Sequence, residues 1–139
     1  MQIEREFYEN GKIKFEKYFI DNKLHRDDGP AVIYYYDNGD IQLQKYLING
    51  KLHRIDGPAY INYYENGNIQ NEIYYINDMR IYLQHYQNIT YNQLINLINK
   101  CKNINDLLKL KLITNIKFPN EKQHLLELIE AKIIMLKLL

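Results

Sequence analysis

The chain contains no serine and no tryptophan, and only one cysteine, three prolines and six glycines among its 139 residues. Its two threonines, Thr90 and Thr114, lie far from the patterned part of the sequence, so a Ser-His-Asp arrangement is excluded. The lone cysteine, Cys101, rules out an internal disulfide and fits a reducing, intracellular setting. Its ordinary role is that of a small apolar core residue. No apolar run approaches the ~20 residues a bilayer-crossing helix needs. An excess of one charge is missing too. The 18 basic and 17 acidic side chains leave a formal charge of +1, which gives no field to attract nucleic acid. The opening Met1-Gln2-Ile3-Glu4-Arg5-Glu6 is too charged for a signal peptide. With no secretion signal, the Asn88-Ile89-Thr90 glycosylation triplet reads as chance. There is no nucleophile elbow, phosphate loop or clustered carboxylate pair, so neither a catalytic residue nor a cofactor is expected.

What the chain does have is a repeat. Lys23-Leu24-His25-Arg26-Asp27-Asp28-Gly29-Pro30-Ala31 returns further on as Lys51-Leu52-His53-Arg54-Ile55-Asp56-Gly57-Pro58-Ala59. Residues 10–37 and 38–65 agree at 17 of 28 positions. A third copy opens at Asn66-Gly67, keeps Ile69, Gln70, Tyr74, Ile76 and Asn77, and then fades. A fixed period of this length means one small unit stacked on itself.

The unit reads as strand, turn, strand, turn. Asn10-Gly11, Asn38-Gly39 and Asn66-Gly67 sit between β-branched and aromatic runs, where Asn-Gly signals a hairpin because both residues tolerate positive φ. Asp21-Asn22 and Asn49-Gly50 mark the second turn. Asp-Gly-Pro then breaks the chain, so Leu24–Pro30 is expected to be irregular. Strands are expected near 2–8, 13–20, 31–36, 41–48, 59–64 and 69–76, with Arg80–Gln87 as an optional seventh. Short connections imply an antiparallel meander. Its faces depend on the turn. A three-residue loop with a bulge puts Ala31, Ile33, Tyr35, Ile41, Leu43 and Leu47 on one face and Tyr34, Tyr36 and Tyr46 on the other; a two-residue turn mixes them.

From Thr90 the period becomes helical. Thr90-Tyr91-Asn92-Gln93 resembles a capping box, followed by Leu94, Leu97, Ile98 and Cys101. Residues 105–112 fit either helix or strand, and Pro119-Asn120-Glu121 opens a last helix. The expected fold is therefore α+β: an antiparallel meander of 28-residue hairpin repeats over residues 1–88, then a helical segment over 89–139.

Three groups of residues are candidates for function. The first is the pair of loops His25/Arg26/Asp28 and His53/Arg54/Asp56, where an imidazole, a guanidinium and a carboxylate together suit an anion or a partner's acid. Recurrence in register inside a repeat favours a structural role for them instead. A shared metal is disfavoured, because equivalent positions two strands apart lie roughly 10 Å apart, too far for two ~2 Å zinc bonds. The second group is the tyrosine rows Tyr8/Tyr36/Tyr64 and Tyr18/Tyr46/Tyr74, either a flat recognition surface or a cross-strand ladder. The third is the apolar end Ile133, Ile134, Met135, Leu136, Leu138 and Leu139, expected to need covering on more than one side and to form a homodimer interface.

The Asn-Gly-Lys hairpins followed by Leu-His-Arg-x-Asp-Gly-Pro-Ala resemble MORN-like repeats, over about residues 7–80. The resemblance is to repeats found in proteins of giant DNA viruses, phages and bacteria. It implies an extended β-hairpin ribbon, a scaffold role in protein assembly, no catalytic residue and, for a viral chain, the host cytoplasm. Together these readings point to a non-enzymatic protein–protein interaction module, with a small-ligand or anion binder using the His-Arg-x-Asp loops as the alternative.

Overall fold

Asn10-Gly11, Asn38-Gly39 and Asn66-Gly67 each turn the chain through the same three-residue loop. In the second repeat the Gly39 N–H donates to the Tyr36 carbonyl (3.0 Å) and the Tyr36 N–H to the Asp40 carbonyl (2.8 Å). Tyr8/Gly11/Lys12 and Tyr64/Gly67/Asn68 repeat this pattern. Only the glycine is left-handed, with φ of +81°, +95° and +80° at Gly11, Gly39 and Gly67. The expectation that asparagine also needs positive φ is corrected: its side chain caps the turn instead. Asn10, Asn38 and Asn66 Oδ1 accept from the N–H two residues on, at 3.0, 2.8 and 3.0 Å. The two-residue turns with both residues left-handed are the other ones: Asp21-Asn22, Asn49-Gly50 and Asn77-Asp78.

The structure, a computed structural model, describes residues 1–138. The strands are β1 Gln2–Phe7, β2 Ile13–Ile20, β3 Lys23–Leu24, β4 Val32–Tyr35, β5 Ile41–Lys45, β6 Leu47–Ile48, β7 Lys51–Leu52, β8 Tyr60–Tyr63, β9 Ile69–Ile76 and β10 Met79–Ile81. The main sheet runs β1-β2-β4-β5-β8-β9-β10, with β3 beside β2, while β6 and β7 form a separate ribbon. From β1 to β9, neighbours in this order are antiparallel. The fold is thus α+β, a hairpin meander followed by helices.

The open question of faces has a physical answer. The loop is the three-residue kind, but a second bulge follows it. Tyr35 pairs with Ile41 and Tyr34 with Leu43, leaving Gln42 extra. Lys14 and Gln70, the equivalent positions of the repeats on either side, are skipped in the same way. The extra residue flips the strand, so Leu43 shares a face with Tyr34 and not with Ile33. One face then carries the row Arg5–Glu16–Ile33–Gln44–Ile61–Glu72. The other carries Glu6–Phe15–Tyr34–Leu43–Asn62–Asn71.

The chain divides into two units, Met1–Arg54 with Pro58–Arg80, and Ile55–Gly57 with Ile81–Leu139. The boundary falls near Ile81, earlier than residue 88, because the optional seventh strand is cut short: Leu83–Tyr86 form a 3-10 turn. In the helical unit, Thr90 and Gln93 close the capping box at the start of α1 (Tyr91–Lys100). Asn103 caps α2 (Ile104–Lys117) by accepting from the Asp106 N–H at 2.8 Å. The ambiguous stretch is therefore helical. Its alternating leucines reflect burial on several sides, with Leu107, Leu110, Leu112 and Ile113 all buried. Pro119 precedes α3 (Lys122–Lys137). Leu94, Ile98, Leu107, Leu110, Ile113, Leu125, Ile129 and Ile133 form the core of this unit.

Candidate functional site

The two His-Arg-x-Asp loops face the second turn of the following repeat. Leu24 accepts from the Gly50 N–H at 2.8 Å, and Leu52 from the Asp78 N–H at 2.9 Å. The Arg26 N–H reaches the Leu47 carbonyl (3.2 Å) and the Arg54 N–H the Tyr75 carbonyl (3.1 Å). The histidines complete the seam. His25 Nδ1 lies 3.0 Å from Asn49 Oδ1, and His53 Nδ1 lies 2.8 Å from Asn77 Oδ1. Asn49 and Asn77 hold left-handed turn positions, at φ of 52° and 50°. The left-handed conformation that asparagine tolerates thus also presents its amide to the imidazole one repeat back.

The arginines fold inward over the second tyrosine row. Arg26 Cζ sits 4.2 Å from the Tyr18 ring centre, and Arg54 Cζ 3.9 Å from that of Tyr46. Arg26 Nε also donates to Asp28 Oδ1 at 2.8 Å, which holds the Asp28 carboxyl below its ordinary range. Arg54 Nη1 reaches the Pro58 carbonyl at 3.3 Å. A side chain on Gly29 would meet the Arg26 guanidinium at 3.2 Å, so the glycine of Asp-Gly-Pro leaves room for this stacking. Tyr74 has Tyr82 at the position that corresponds to the arginine, which is where the third copy fades.

The first tyrosine row bonds across the seam as well. Tyr8 Oη donates to the Tyr35 carbonyl and Tyr36 Oη to the Tyr63 carbonyl, both at 2.7 Å. Tyr64, last in the row, is half exposed. These hydrogen bonds form a ladder between repeats, while the stacking on the second row ties each arginine to the tyrosine of its own repeat.

His25 and His53 differ in one neighbour. His25 Nε2 lies 3.0 Å from Asp27 Oδ1, whereas the second repeat has Ile55 in place of Asp27. The bond to Asp27 raises the His25 pKa against the opposing effect of burial, with a further contribution from Asn49. Both protonation states keep a link to Asn49: the charged ring donates to Oδ1, and the neutral ring accepts from the Asn49 N–H at 3.2 Å.

Sequence reasoning missed Glu16. It is a buried carboxylate on β2 that accepts from Arg5 Nε (2.7 Å) and from Tyr35 Oη (2.9 Å). Burial raises its pKa, and the two donors outweigh that and leave it lowered. Burial and the bond to Glu16 push Tyr35 up to about 12. The next repeat replays the contact in neutral form, Tyr63 Oη to Gln44 Oε1 at 2.9 Å. The signal was present as Glu16, Gln44 and Glu72, a carboxylate or amide at the same position of each repeat inside a strand. A shallow cleft of about 520 Å³ in the helical unit was also missed. It lies between His85, Tyr86, Asn96, Leu97 and Lys100, which come from separate elements.

Of the proposed interface residues, Ile133 belongs to the helical core and Leu136 packs against it, so the fold itself occupies both. Ile134, Met135 and Leu138 are exposed, Leu138 at 82%. Leu139 lies outside the described residues. Among the described residues no three His, Cys, Asp or Glu side chains gather as a metal site, and no helix is long and apolar enough to cross a membrane. No protein-family model, curated protein or solved structure matches this chain.

Proposed function

We propose that the chain is a non-enzymatic protein–protein interaction module, a small scaffold that holds a partner in an assembly. One observation carries the reading. The residues best suited to chemistry are engaged within the repeat array itself: His25, His53, Tyr8 and Tyr36 bond from one repeat to the next, while Arg26 and Arg54 stack on Tyr18 and Tyr46 of their own repeat. What faces water instead is contact surface: the open ends of the sheet, and Ile134, Met135 and Leu138 at the end of α3. The resemblance to MORN-like repeats points the same way.

The test is affinity capture with the full chain as bait, beside a variant carrying Ile134→Lys and Met135→Lys. Stoichiometric recovery of a protein, lost in either that variant or one altered at the sheet edges, supports the proposal. A chain that captures nothing, but whose melting temperature rises with the concentration of a small anion, contradicts it and favours the alternative reading.

A further inference from the structure

We propose that copies of this chain associate head to tail, with β1 of one copy extending the sheet of another along β9. This rests on the interaction-module reading and names its partner as a second copy.

The argument is the repeat's own geometry. Between repeats, β2 pairs with β4 through Phe15↔Tyr34, Glu16↔Ile33 and Lys17↔Val32. One repeat on, β5 pairs with β8 through Leu43↔Asn62, Gln44↔Ile61 and Lys45↔Tyr60. The series then stops. β9 continues the class of β2 and β5, pairing backwards with β8, and β10 follows it across the Asn77-Asp78 turn as β3 follows β2. Among the described residues, no strand of a next repeat lies along Asn71, Glu72 and Ile73. At the other end, β1 belongs to the class of β4 and β8, and no described strand lies on its outer side. The two open edges are therefore the two halves of one joint, and one further step of the repeat brings them together. The register follows as Asn71↔Glu6, Glu72↔Arg5 and Ile73↔Glu4 of a second copy.

Three observations fit this joint. First, Arg5 stands where the inner repeats have Ile33 and Ile61, and it comes opposite Glu72. The row then reads Glu72, Arg5 and Glu16, a cation between two carboxylates. Second, apolar side chains are left in water at both of these ends. Phe7 is 56% exposed and Ile69 is 52% exposed, whereas Tyr35 and Ile41 at the corresponding inner positions are partly covered. Third, Tyr64 is the row member whose acceptor would be the next repeat's carbonyl, and that position in a second copy is Phe7. The contact is heterologous, so it produces rings or filaments rather than a closed dimer.

The test uses the full chain with Cys101→Ala as background. One protein carries Glu6→Cys and another Asn71→Cys; both positions are exposed. Mixed under mild oxidation, they should give a disulfide heterodimer, and neither alone should. A chain with both cysteines should give a ladder of multiples, because the two sites sit on opposite edges of one sheet. Sedimentation velocity of the unaltered protein should show a concentration-dependent rise, displaced to about tenfold higher concentration by Glu72→Lys. Disulfide homodimers of the Glu6→Cys protein would mean symmetric edge pairing and overturn the proposal. So would a monomer at every concentration with no cross-linking. If a different protein were still captured in that case, the head-to-tail joint would fall while the interaction-module reading stood.

Discussion

Changing Gly39 to alanine should cost far more stability than changing Gly50 to asparagine, although both glycines sit in turns with positive φ. Gly39 is at φ +95°, beyond the region asparagine reaches easily, and it closes a three-residue loop. A Cβ there would meet Lys12 Cδ at 3.5 Å, ordinary contact, so the penalty is conformational and not steric crowding. For an L-residue held left-handed that penalty is about 1–2 kcal/mol. Gly11→Ala, at φ +81° with nothing within 4 Å, isolates the same penalty. Gly50 is at φ +79° in a two-residue turn, and its counterparts in the other repeats are Asn22 (59°) and Asp78 (65°). Asn there should cost only a few tenths of a kcal/mol. Urea unfolding, followed by circular dichroism with the slope held common, reads the difference as a midpoint shift. Equal shifts for Gly39→Ala and Gly50→Asn would refute the assignment of the two turn types.

Asn38→Ala should cost less than Gly39→Ala, about 0.5–1.5 kcal/mol in the same urea series, because it removes two exposed side-chain hydrogen bonds to Asp40 and no backbone constraint. Tyr36→Phe should lower stability by about 1 kcal/mol by leaving the Tyr63 carbonyl short of a donor, while Tyr64→Phe should leave the dilute protein unchanged; melting of both at micromolar concentration checks this. His25 binds its proton more tightly when folded, so its contribution is complete below the ordinary histidine value of about 6.5 and is lost as pH rises through the raised folded value. Melting compared between the native chain and His25→Gln should therefore show the gap narrowing from pH 5.5 to pH 8.5. A gap that widens over that range would refute the bond to Asp27.

Much of the sheet was legible because period and punctuation agreed. Asn-Gly between aromatic runs placed β2, β4, β8 and β9 within a residue or two of the observed spans, and the start of β5 at Ile41. The division of Ile41–Ile48 into β5 and β6 was not visible, since a break at Tyr46 has no Gly or Pro to mark it. The faces were hidden for a related reason. The bulges at Lys14, Gln42 and Gln70 lie within strands, on residues with no special backbone preference, and one such residue inverts everything after it. The histidine motif was visible as a motif, but its partners were not. Asn49 and Asn77 lie in a turn of the next repeat, and only the stacked array brings them near. The burial of Ile133 within its own unit was not legible either, because the helical pattern of α3 could not show that α1 and α2 would cover that side.

The central claim is that the His-Arg-x-Asp motif is a joint between repeats and not a binding site. A double-mutant cycle on His53 and Asn77 tests it most directly, using His53→Ala and Asn77→Gly so that the left-handed turn is kept. The account predicts that each change destabilises and that the pair couples by about 0.5–1.5 kcal/mol, the double variant losing less than the two singles together. Two variants that melt like the parent, with no coupling between them, would contradict it.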